Sequence, residues 1–232
     1  MRSRDKKTIC IIPARGGSKS IHMKNIKLLN GKPLIHYTLK TAIESKIFDK
    51  IVVTSDSLKI LNIASRYKDV ELIKRPKKLS LDKSLTEPTL LHVCDVMKSK
   101  HNYIPDIVFT LEPTAPLRSI KTIKACLKII LSKEVDSVVG ITETKKCIGK
   151  IVNKKFKYFI KNQPRRRQDR EKMYYESGTI YATKLATLVK YGSVLGKKLY
   201  PVVVPSNEAF DVNEILDFNI IEAIMKNNYT NE

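Results

Sequence analysis

The sequence predicts an α/β protein with a mostly parallel sheet that helices cover on both faces. Short apolar runs rich in strand-forming residues recur along the first two thirds of the chain, and segments with apolar residues at helical spacing separate them. Strands that alternate with helices of this length are typical of parallel sheets wound on both faces. Because 232 residues suffice for one well-buried core, we expect a single domain over residues 1–232.

The elements follow in a regular order as far as residue 141. Ile9–Ile12 is predicted as a strand that ends at Pro13, and Pro33 opens a helix with apolar residues at helical spacing. Capping and turn residues set the bounds of the others. They are strand Lys50–Ser55, a helix capped by Asp56 or Ser57, strand Val70–Ile73, a helix from Thr86 or Glu87, strand Ile107–Leu111, a helix capped by Ser119 that runs to about Lys133, and strand Ser137–Ile141.

The alternation breaks near residue 143. Lys150–Ile160 is predicted as a hairpin of short strands, and the following segment, Asn162–Arg170, is polar and strongly basic. We therefore expect residues 143–177 to be an arm inserted into the α/β core. The chain then returns to strands Gly178–Thr183 and Leu199–Val204 and closes with a helix over Glu214–Lys226.

Composition narrows the function class. The net charge is +21, from 44 basic and 23 acidic residues, which invites a nucleic-acid hypothesis. No recognised nucleic-acid module accompanies the charge, and a coding bias toward Lys, Asn and Ile or attraction of an anionic substrate also explains it. We therefore do not favour a nucleic-acid partner. No apolar run approaches the roughly 20 residues that span a bilayer, so we expect no membrane association.

The cysteines and the N-terminal segment predict a cytoplasmic location. Cys10, Cys94, Cys126 and Cys147 are widely spaced without a metal-binding or disulfide pattern, which indicates buried reduced thiols. The first apolar block is shorter than the roughly 7–15 residues of a secretory leader. A nuclear location stays open if the source is eukaryotic, because the basic run Arg165–Arg167 also fits a localisation signal.

The turn after the first strand is the clearest functional signal. Gly16 and Gly17 stand between Arg15 and Lys19, and Lys24 follows. Glycines let backbone N–H groups approach a ligand, and the surrounding cations favour a polyanion such as a nucleoside triphosphate. Neither the Walker A spacing nor Gly-x-Gly-x-x-Gly is present, so by itself the turn also fits a solvated loop.

Further segments place this turn in a longer pattern. They are Ile11–Lys19, Lys24–Ile26, Gly31–Leu34, Arg75–Pro76 with Leu79 and Asp82, Leu111–Arg118, Arg167–Asp169, Gly178–Tyr181, and Phe210–Asp211 with Asp217. In order and spacing these segments resemble the CMP-sialic acid synthetase (acylneuraminate cytidylyltransferase) family over nearly the whole chain. The resemblance implies a Rossmann-like three-layer nucleotidyltransferase fold and a homodimer formed through the inserted arm. It also implies that CTP and a nonulosonic acid, with Mg²⁺, give a CMP-activated sugar and pyrophosphate.

The resemblance also assigns residues to roles. The nucleotide-binding positions are Arg15, Ser18, Lys19, Lys24, Asn25, Arg75, Thr86 and Glu112. The sugar-binding positions are Lys150, Arg167, Gln168 and Tyr181, and the metal positions are Asp211 and, weakly, Asn213. The catalytic positions are Arg15, Lys19 and Asp211, with either Asp211 or a metal-bound hydroxide as the base. Lys and Arg side chains and Mg²⁺ suit the negative charge that phosphoryl-type transfer builds.

Some positions depart from the family pattern. Glu112 replaces a common Gln, Asn213 replaces the second acid of Asp-x-Asp, His22 replaces Pro and Ser177 replaces Asn. Three alternatives therefore stay open: a nucleotidylyltransferase for 3-deoxy-manno-octulosonate, a basic nucleic-acid-binding protein without turnover, and a weakened sugar-nucleotide binder. The sequence does not distinguish N-acetylneuraminic acid from its legionaminic and pseudaminic relatives.

Overall fold

The computed structural model describes residues 6–18, 20–132 and 134–228. The strands are β1 Thr8–Pro13, β2 Leu28–Leu29, β3 Lys32–Pro33, β4 Lys50–Ser55, β5 Val70–Lys74, β6 Ile107–Thr110, β7 Ser137–Thr144, β8 Gly149–Val152, β9 Lys155–Tyr158, β10 Met173–Lys184 and β11 Leu199–Val203. The helices are α1 Leu34–Ser45, α2 Leu58–Ala64, α3 Thr86–His101, α4 Ile120–Ser132, α5 Leu185–Tyr191 and α6 Ile215–Asn228. Single turns of 3₁₀ helix lie at Lys24–Ile26, Lys77–Leu79 and Arg167–Asp169.

A seven-stranded sheet in the order β11-β7-β10-β6-β1-β4-β5 forms the centre of the molecule. Every neighbouring pair in it is parallel except the two that involve β10. The predicted α/β class with a mostly parallel sheet is therefore confirmed. Antiparallel β10 does not disturb the common direction of the other strands, whose carboxyl ends meet at one edge.

Helices cover both faces of this sheet because the side chains of β1 alternate between two apolar clusters. Ile9 and Ile11 pack with residues of α3 and α5, whereas Cys10 and Ile12 pack with residues of α1, α2 and α4. All four side chains are fully buried, as expected for a central strand covered on both sides. A third cluster joins α6 to the start of α1 and thereby fixes α6 against the core.

Most predicted bounds agree with the structure, and of the two predicted caps of α2 Ser57, not Asp56, stands at the N-cap position, although its side chain makes no cap hydrogen bond. Asp56 instead accepts a hydrogen bond from the Gly16 N–H (2.8 Å). The predicted cap of α4 is confirmed, since Ser119 Oγ accepts a hydrogen bond from the Thr122 N–H (3.1 Å).

Two features of the last third were not predicted. α5 was missed, and β10 begins at Met173, five residues before the predicted strand. The first part of β10 pairs with the end of β7, so both strands run on into the predicted arm region. The length of β10 is therefore set by its pairing with β7, a distant segment, and not by a local sequence pattern.

The arm itself carries a two-stranded hairpin with unlike faces. In β8 and β9, Ile151 lies opposite Phe156, and Gly149 lies opposite Tyr158, so these residues share one face. Lys150 lies opposite Lys157 on the other face. Asn153 and Lys154 both have positive φ, which a two-residue hairpin turn requires. The predicted hairpin over Lys150–Ile160 is confirmed.

Thiol burial and membrane contact can be checked in the described residues. Cys10, Cys94 and Cys126 are buried and free, and Cys147 is free but partly exposed. Desolvation by burial raises the pKa of the Cys94 thiol to about 12. Within the ranges given above, no helix is long and apolar enough to cross a membrane.

Candidate active site

A cavity of about 280 Å³ opens where the order of the sheet reverses. The chain proceeds from β1 to β4 and β5 on one side and then crosses to β6 on the other. In open α/β sheets, ligands bind at the carboxyl ends of the strands at such a switch point. The lining residues are Pro13, Arg15, Ser18, Lys24, Asn25, Arg75, Leu79, Leu81, Asp82, Ser84, Leu85, Thr86, Glu112, Pro113 and Thr114.

The structure thus brings together the predicted nucleotide-binding residues that it describes. Arg15, Ser18, Lys24, Asn25, Arg75, Thr86 and Glu112 all line this one cavity. They come from four separate parts of the chain, which only the sheet topology unites. Lys19, which was predicted to act with Arg15, lies outside the described residues.

The glycine-containing turn is folded against the loop between β4 and α2. The Gly16 N–H donates to Asp56 Oδ1 (2.8 Å), and the Ala14 N–H donates to the Thr54 carbonyl (3.0 Å). A Cβ at position 16 would lie 2.9 Å from Ser57 Cβ, whereas one at Gly17 would meet nothing within 4 Å. Glycine at position 16 therefore leaves room for the side chain of Ser57, whereas Gly17 faces open space.

Side chains next to the turn hold it in place and present positive charge. Asn25 is buried and its Nδ2 donates to the Arg15 carbonyl (2.9 Å). The Arg15 guanidinium lies 3.5 Å from Asp82 Oδ1, and both side chains line the cavity. Lys24 Nζ donates to the Val212 carbonyl (2.6 Å). Burial lowers the pKa of Lys24, while the Asp211 and Glu112 carboxylates oppose that effect.

Arg75 provides a second, more deeply buried cation. Its Nη2 donates to the Thr54 carbonyl (2.8 Å), and its backbone N–H donates to the Ser55 carbonyl (2.8 Å). Burial lowers the pKa of Arg75 to about 10, so the side chain stays charged at neutral pH. A buried guanidinium beside the ends of β4 and β5 is well placed to hold a polar or anionic ligand.

Arg118 positions the opposite wall of the cavity. This fully enclosed side chain donates from Nη2 to the Glu112 carbonyl (2.9 Å), from Nη1 to Thr38 Oγ1 (3.3 Å) and from Nε to the Thr179 carbonyl (2.5 Å). It therefore joins the loop after β6 to α1 and to the irregular part of β10. The sequence analysis included Arg118 in a motif but gave it no role. The apolar residues Pro116 and Leu117 that precede it were the available sign that Arg118 is buried.

Two carboxylates lie near the cationic groups. Burial raises the pKa of Glu112, and the neighbouring Asp211 carboxylate raises it further. Asp211 accepts a hydrogen bond from Asn213 Nδ2 (3.1 Å). Asp217 accepts hydrogen bonds from the N–H groups of Asn213 (2.7 Å) and Glu214 (2.8 Å) and so caps the start of α6. The described residues contain no group of three or more His, Cys, Asp or Glu side chains suited to hold a metal ion.

The predicted sugar-binding residues are more scattered. Arg167 and Gln168 line a separate, open cavity of about 410 Å³ with Glu143, Thr144 and Lys145 at the base of the arm. Tyr181 donates from its hydroxyl to the Glu176 carboxylate, and burial, followed by that hydrogen bond, raises the pKa of the phenol. Lys150 is exposed on β8 and lines neither of these two cavities.

Comparison with known proteins identifies the family. Residues 9–199 match the family model described as cytidylyltransferase. The chain belongs to the cytidylyltransferase family. The expectations from the sequence about family, fold class and enzyme class are thereby confirmed, while the roles of individual site residues stay predictions.

Relatives of this cytidylyltransferase cover nearly all of it. The chain is 30% identical to the pseudaminic acid cytidylyltransferase of Campylobacter jejuni over 228 residues, which cover 96% of this chain and 98% of that protein. It is 31% identical to the N-acylneuraminate cytidylyltransferase of Streptococcus agalactiae over 219 residues, covering 91% of this chain and 52% of that protein. A solved CMP:2-keto-3-deoxy-manno-octonic acid synthetase complexed with CTP superposes with a TM-score of 0.68, covering 96% of this chain and 99% of that one. At 16% identity this last likeness shows the fold alone.

Proposed function

We propose that this protein transfers CMP from CTP to the anomeric hydroxyl of a nonulosonic acid and releases pyrophosphate. The cavity that gathers Arg15, Lys24 and Arg75 at the switch point of the sheet carries the proposal. Membership of the cytidylyltransferase family indicates that the transferred group is cytidylyl. The names of the two relatives point to pseudaminic or N-acylneuraminic acid as the class of acceptor.

The cations of the cavity suit the triphosphate end of the reaction. The acceptor oxygen forms a bond to the α-phosphorus of CTP, the bond from that phosphorus to the β-phosphate oxygen breaks, and the proton of the hydroxyl passes to the Asp211 carboxylate or to solvent water. Negative charge grows on the phosphoryl oxygens and on the leaving pyrophosphate. We assign Arg15, Lys24 and, from its place in the sequence alone, Lys19 to that charge, and Arg75 and Thr86 to the cytidine half.

The donors near Asp211 fit Mg²⁺ as a cofactor. Mg²⁺ commonly takes one or two protein carboxylates and completes its shell with phosphate oxygens and water, so a sparse protein site is sufficient. When bound, the cation would neutralise phosphate charge. Asp211 would hold it, and Asn213 would act mainly by orienting Asp211, since its amide nitrogen already donates to Asp211 Oδ2.

The arm supports a homodimer. Ile151, Phe156 and Tyr158 share one face of the hairpin and are 76%, 54% and 49% exposed. A two-stranded hairpin is marginally stable alone, and a contiguous exposed apolar face commonly marks an interaction site. We propose that the arm of a second copy covers this face. The basic residues of the arm, Lys150 and Arg167, would then approach a sugar acid bound to the neighbouring protomer, with Arg167 pairing to its carboxylate.

The deciding experiment measures pyrophosphate release. The protein is incubated with CTP, Mg²⁺ and, in turn, N-acetylneuraminic, legionaminic, pseudaminic and 3-deoxy-manno-octulosonic acids. We expect release with at least one nonulosonic acid and none without an acceptor. Release with the octulosonic acid alone would replace the proposed acceptor class, and no release with any acid would reject the proposal. The cytoplasmic location stays a prediction that cell fractionation can check.

A further inference from the structure

Arg170 differs from the other arginines of the basic loop, residues 164–170, in what its side chain contacts. Arg165–Arg167 are exposed, whereas Arg170 is half-buried. The Arg170 guanidinium donates from Nε to the Pro164 carbonyl (2.9 Å) and from Nη2 to the Arg165 carbonyl (2.7 Å). Its Nη1 donates to the carbonyl of Lys145 (2.9 Å), the residue that directly follows β7. One side chain therefore closes the loop on itself and joins it to the end of β7.

Lys145 adds a second link between the same two places. Its Nζ donates to the Gln168 carbonyl (3.1 Å), while its own carbonyl receives Arg170 Nη1. Arg167 and Gln168 line the open cavity at the base of the arm, whose other lining residues are Glu143, Thr144 and Lys145. The two predicted sugar-binding residues of the basic loop therefore stand on a backbone that Arg170 and Lys145 hold against the end of β7.

The carbonyl oxygens of the basic loop are engaged by groups of the protein. Those of Pro164 and Arg165 accept from the Arg170 side chain, and that of Gln168 accepts from Lys145. The carbonyls of the two residues between them accept from backbone N–H groups three residues further along the chain (3.2 and 3.4 Å). Every carbonyl from residue 164 to residue 168 thus accepts a hydrogen bond. The exposed side chains are therefore the groups that the loop offers to a ligand.

The charge of these side chains favours an anion. The three exposed arginines of the loop outnumber its one carboxylate, Asp169. Glu143, which lines the cavity, is paired with Lys172 Nζ (3.0 Å). A guanidinium has paired donors that match a carboxylate, and it has no acceptor that would repel one. The basic loop therefore has the chemistry to bind an organic acid.

We propose that Arg170 is a positioning residue for the sugar acid, because its guanidinium folds the basic loop and thereby fixes Arg167 toward the carboxylate of that acid. This inference rests on the proposed function, which assigns the carboxylate to Arg167. All three nitrogens of the Arg170 guanidinium donate to backbone carbonyls, so Arg170 acts through Arg167 and does not itself pair with the acid. A lysine at position 170 would keep the charge but lose the rigid fork that spans the three carbonyls. Charge and geometry can therefore be separated by experiment.

The first measurement compares Arg170→Lys with Arg166→Lys in steady-state pyrophosphate release. Arg166→Lys is the matched control, since it makes the same exchange at an exposed side chain of the same loop. We expect Arg170→Lys to raise the KM for the sugar acid several-fold, up to the roughly 10-fold expected when the contact of Arg167 is lost. The KM for CTP and kcat should stay unchanged, and Arg166→Lys should change none of the three constants. Wild-type constants in Arg170→Lys, or a loss shared by the KM for CTP, would overturn the proposal.

A double-variant cycle shows whether Arg170 acts through Arg167. Arg167→Ala removes the side chain that Arg170 is proposed to position, so Arg170→Lys should cause no further rise in the sugar-acid KM when it is added to Arg167→Ala. If the double variant instead showed a further several-fold rise, Arg170 would act independently of Arg167, and the positioning role would be wrong.

Trypsin cleavage under native conditions examines the basic loop without any substrate. Local opening exposes backbone to a protease, so cleavage after Arg165 and Arg167 should be several-fold faster in Arg170→Lys than in wild type or Arg166→Lys. Mass spectrometry of the fragments gives the rate at each position. Equal rates in all three proteins would overturn the proposal whatever the turnover. Faster cleavage in Arg170→Lys, together with no pyrophosphate release from any acid, would reject the proposed function and still show that Arg170 folds the loop.

Discussion

The cavity at the switch point and the arm differ in how far one chain completes them. The cavity walls are held by hydrogen bonds from the side chains of Asn25, Arg75 and Arg118 to backbone carbonyls. The arm has an apolar face that is mostly exposed and a separate, open cavity at its base. The walls of the cavity are therefore joined within a single chain, whereas the arm leaves an apolar face exposed for the second copy that we propose.

The largest loss of turnover should follow from removing a basic side chain of the glycine-containing turn. Arg15→Ala and Lys19→Ala should each lower turnover at least about 100-fold, the usual loss when a transition-state charge contact is removed. Steady-state pyrophosphate release measures this, with the exposed Arg66→Ala as the control that should behave like wild type. Near-normal rates in both site variants would remove the phosphate role of the turn.

Removing a basic side chain from the arm should weaken binding of the sugar acid rather than binding of CTP. Arg167→Ala should raise the KM for the sugar acid by roughly 10-fold, as expected for a lost hydrogen bond to a charged group, with the KM for CTP little changed. Arg166→Ala on the same exposed segment is the matched control. If Arg167→Ala changed the KM for CTP instead, the division of the molecule into nucleotide and sugar ends would be wrong.

Breaking the proposed dimer should give a smaller, indirect loss. Phe156→Lys places a charge on the apolar face of the hairpin, so light scattering should report a monomer where the wild type is a dimer. Turnover should fall several-fold through the sugar-acid KM, roughly as for loss of part of a binding contact. Lys157→Gln, on the basic face, should leave the dimer intact. A wild-type monomer with full activity would contradict this account of the arm.

The sequence predicted the part of the fold that forms the cavity better than it predicted the arm. The strands of the central sheet and the helices up to residue 141 have strong periodicity and clear turn residues, and their positions were predicted within a few residues, whereas the two-residue strands β2 and β3 were missed. Asp56 was predicted as a helix cap, yet it binds Gly16. The early start of β10 was missed because it depends on pairing with β7. Likewise, the sequence could not show that Lys150 does not line the cavity of Arg167 and Gln168, since spacing along a chain does not encode which face of a hairpin a residue occupies.

The smallest predicted effect is a change in stability with pH at the contact between His36 and Tyr67, which lies behind the cavity. His36 Nδ1 lies 2.5 Å from the Tyr67 hydroxyl, which joins α1 to the segment after α2. Burial lowers the pKa of His36, and Lys32 and Lys40 lower it further. The unfolded chain therefore binds a proton more readily than the folded one near the usual pKa of about 6.5. Stability from this contact is present above that pH and is lost as the pH falls through the lower pKa of the folded protein.

Urea unfolding at pH 7.5 and pH 5.5 tests this contact. The free energy of unfolding of the wild type should fall on acidification, and His36→Gln, which cannot gain a proton but can accept from Tyr67, should show a smaller fall. His22→Gln serves as the control, since that side chain is exposed. If acid lowered the stability of wild type and His36→Gln equally, the acid sensitivity would lie elsewhere. Because α1 packs beside the turn at Lys24–Ile26, a measured loss at this contact would mean that acid weakens the packing behind the cavity.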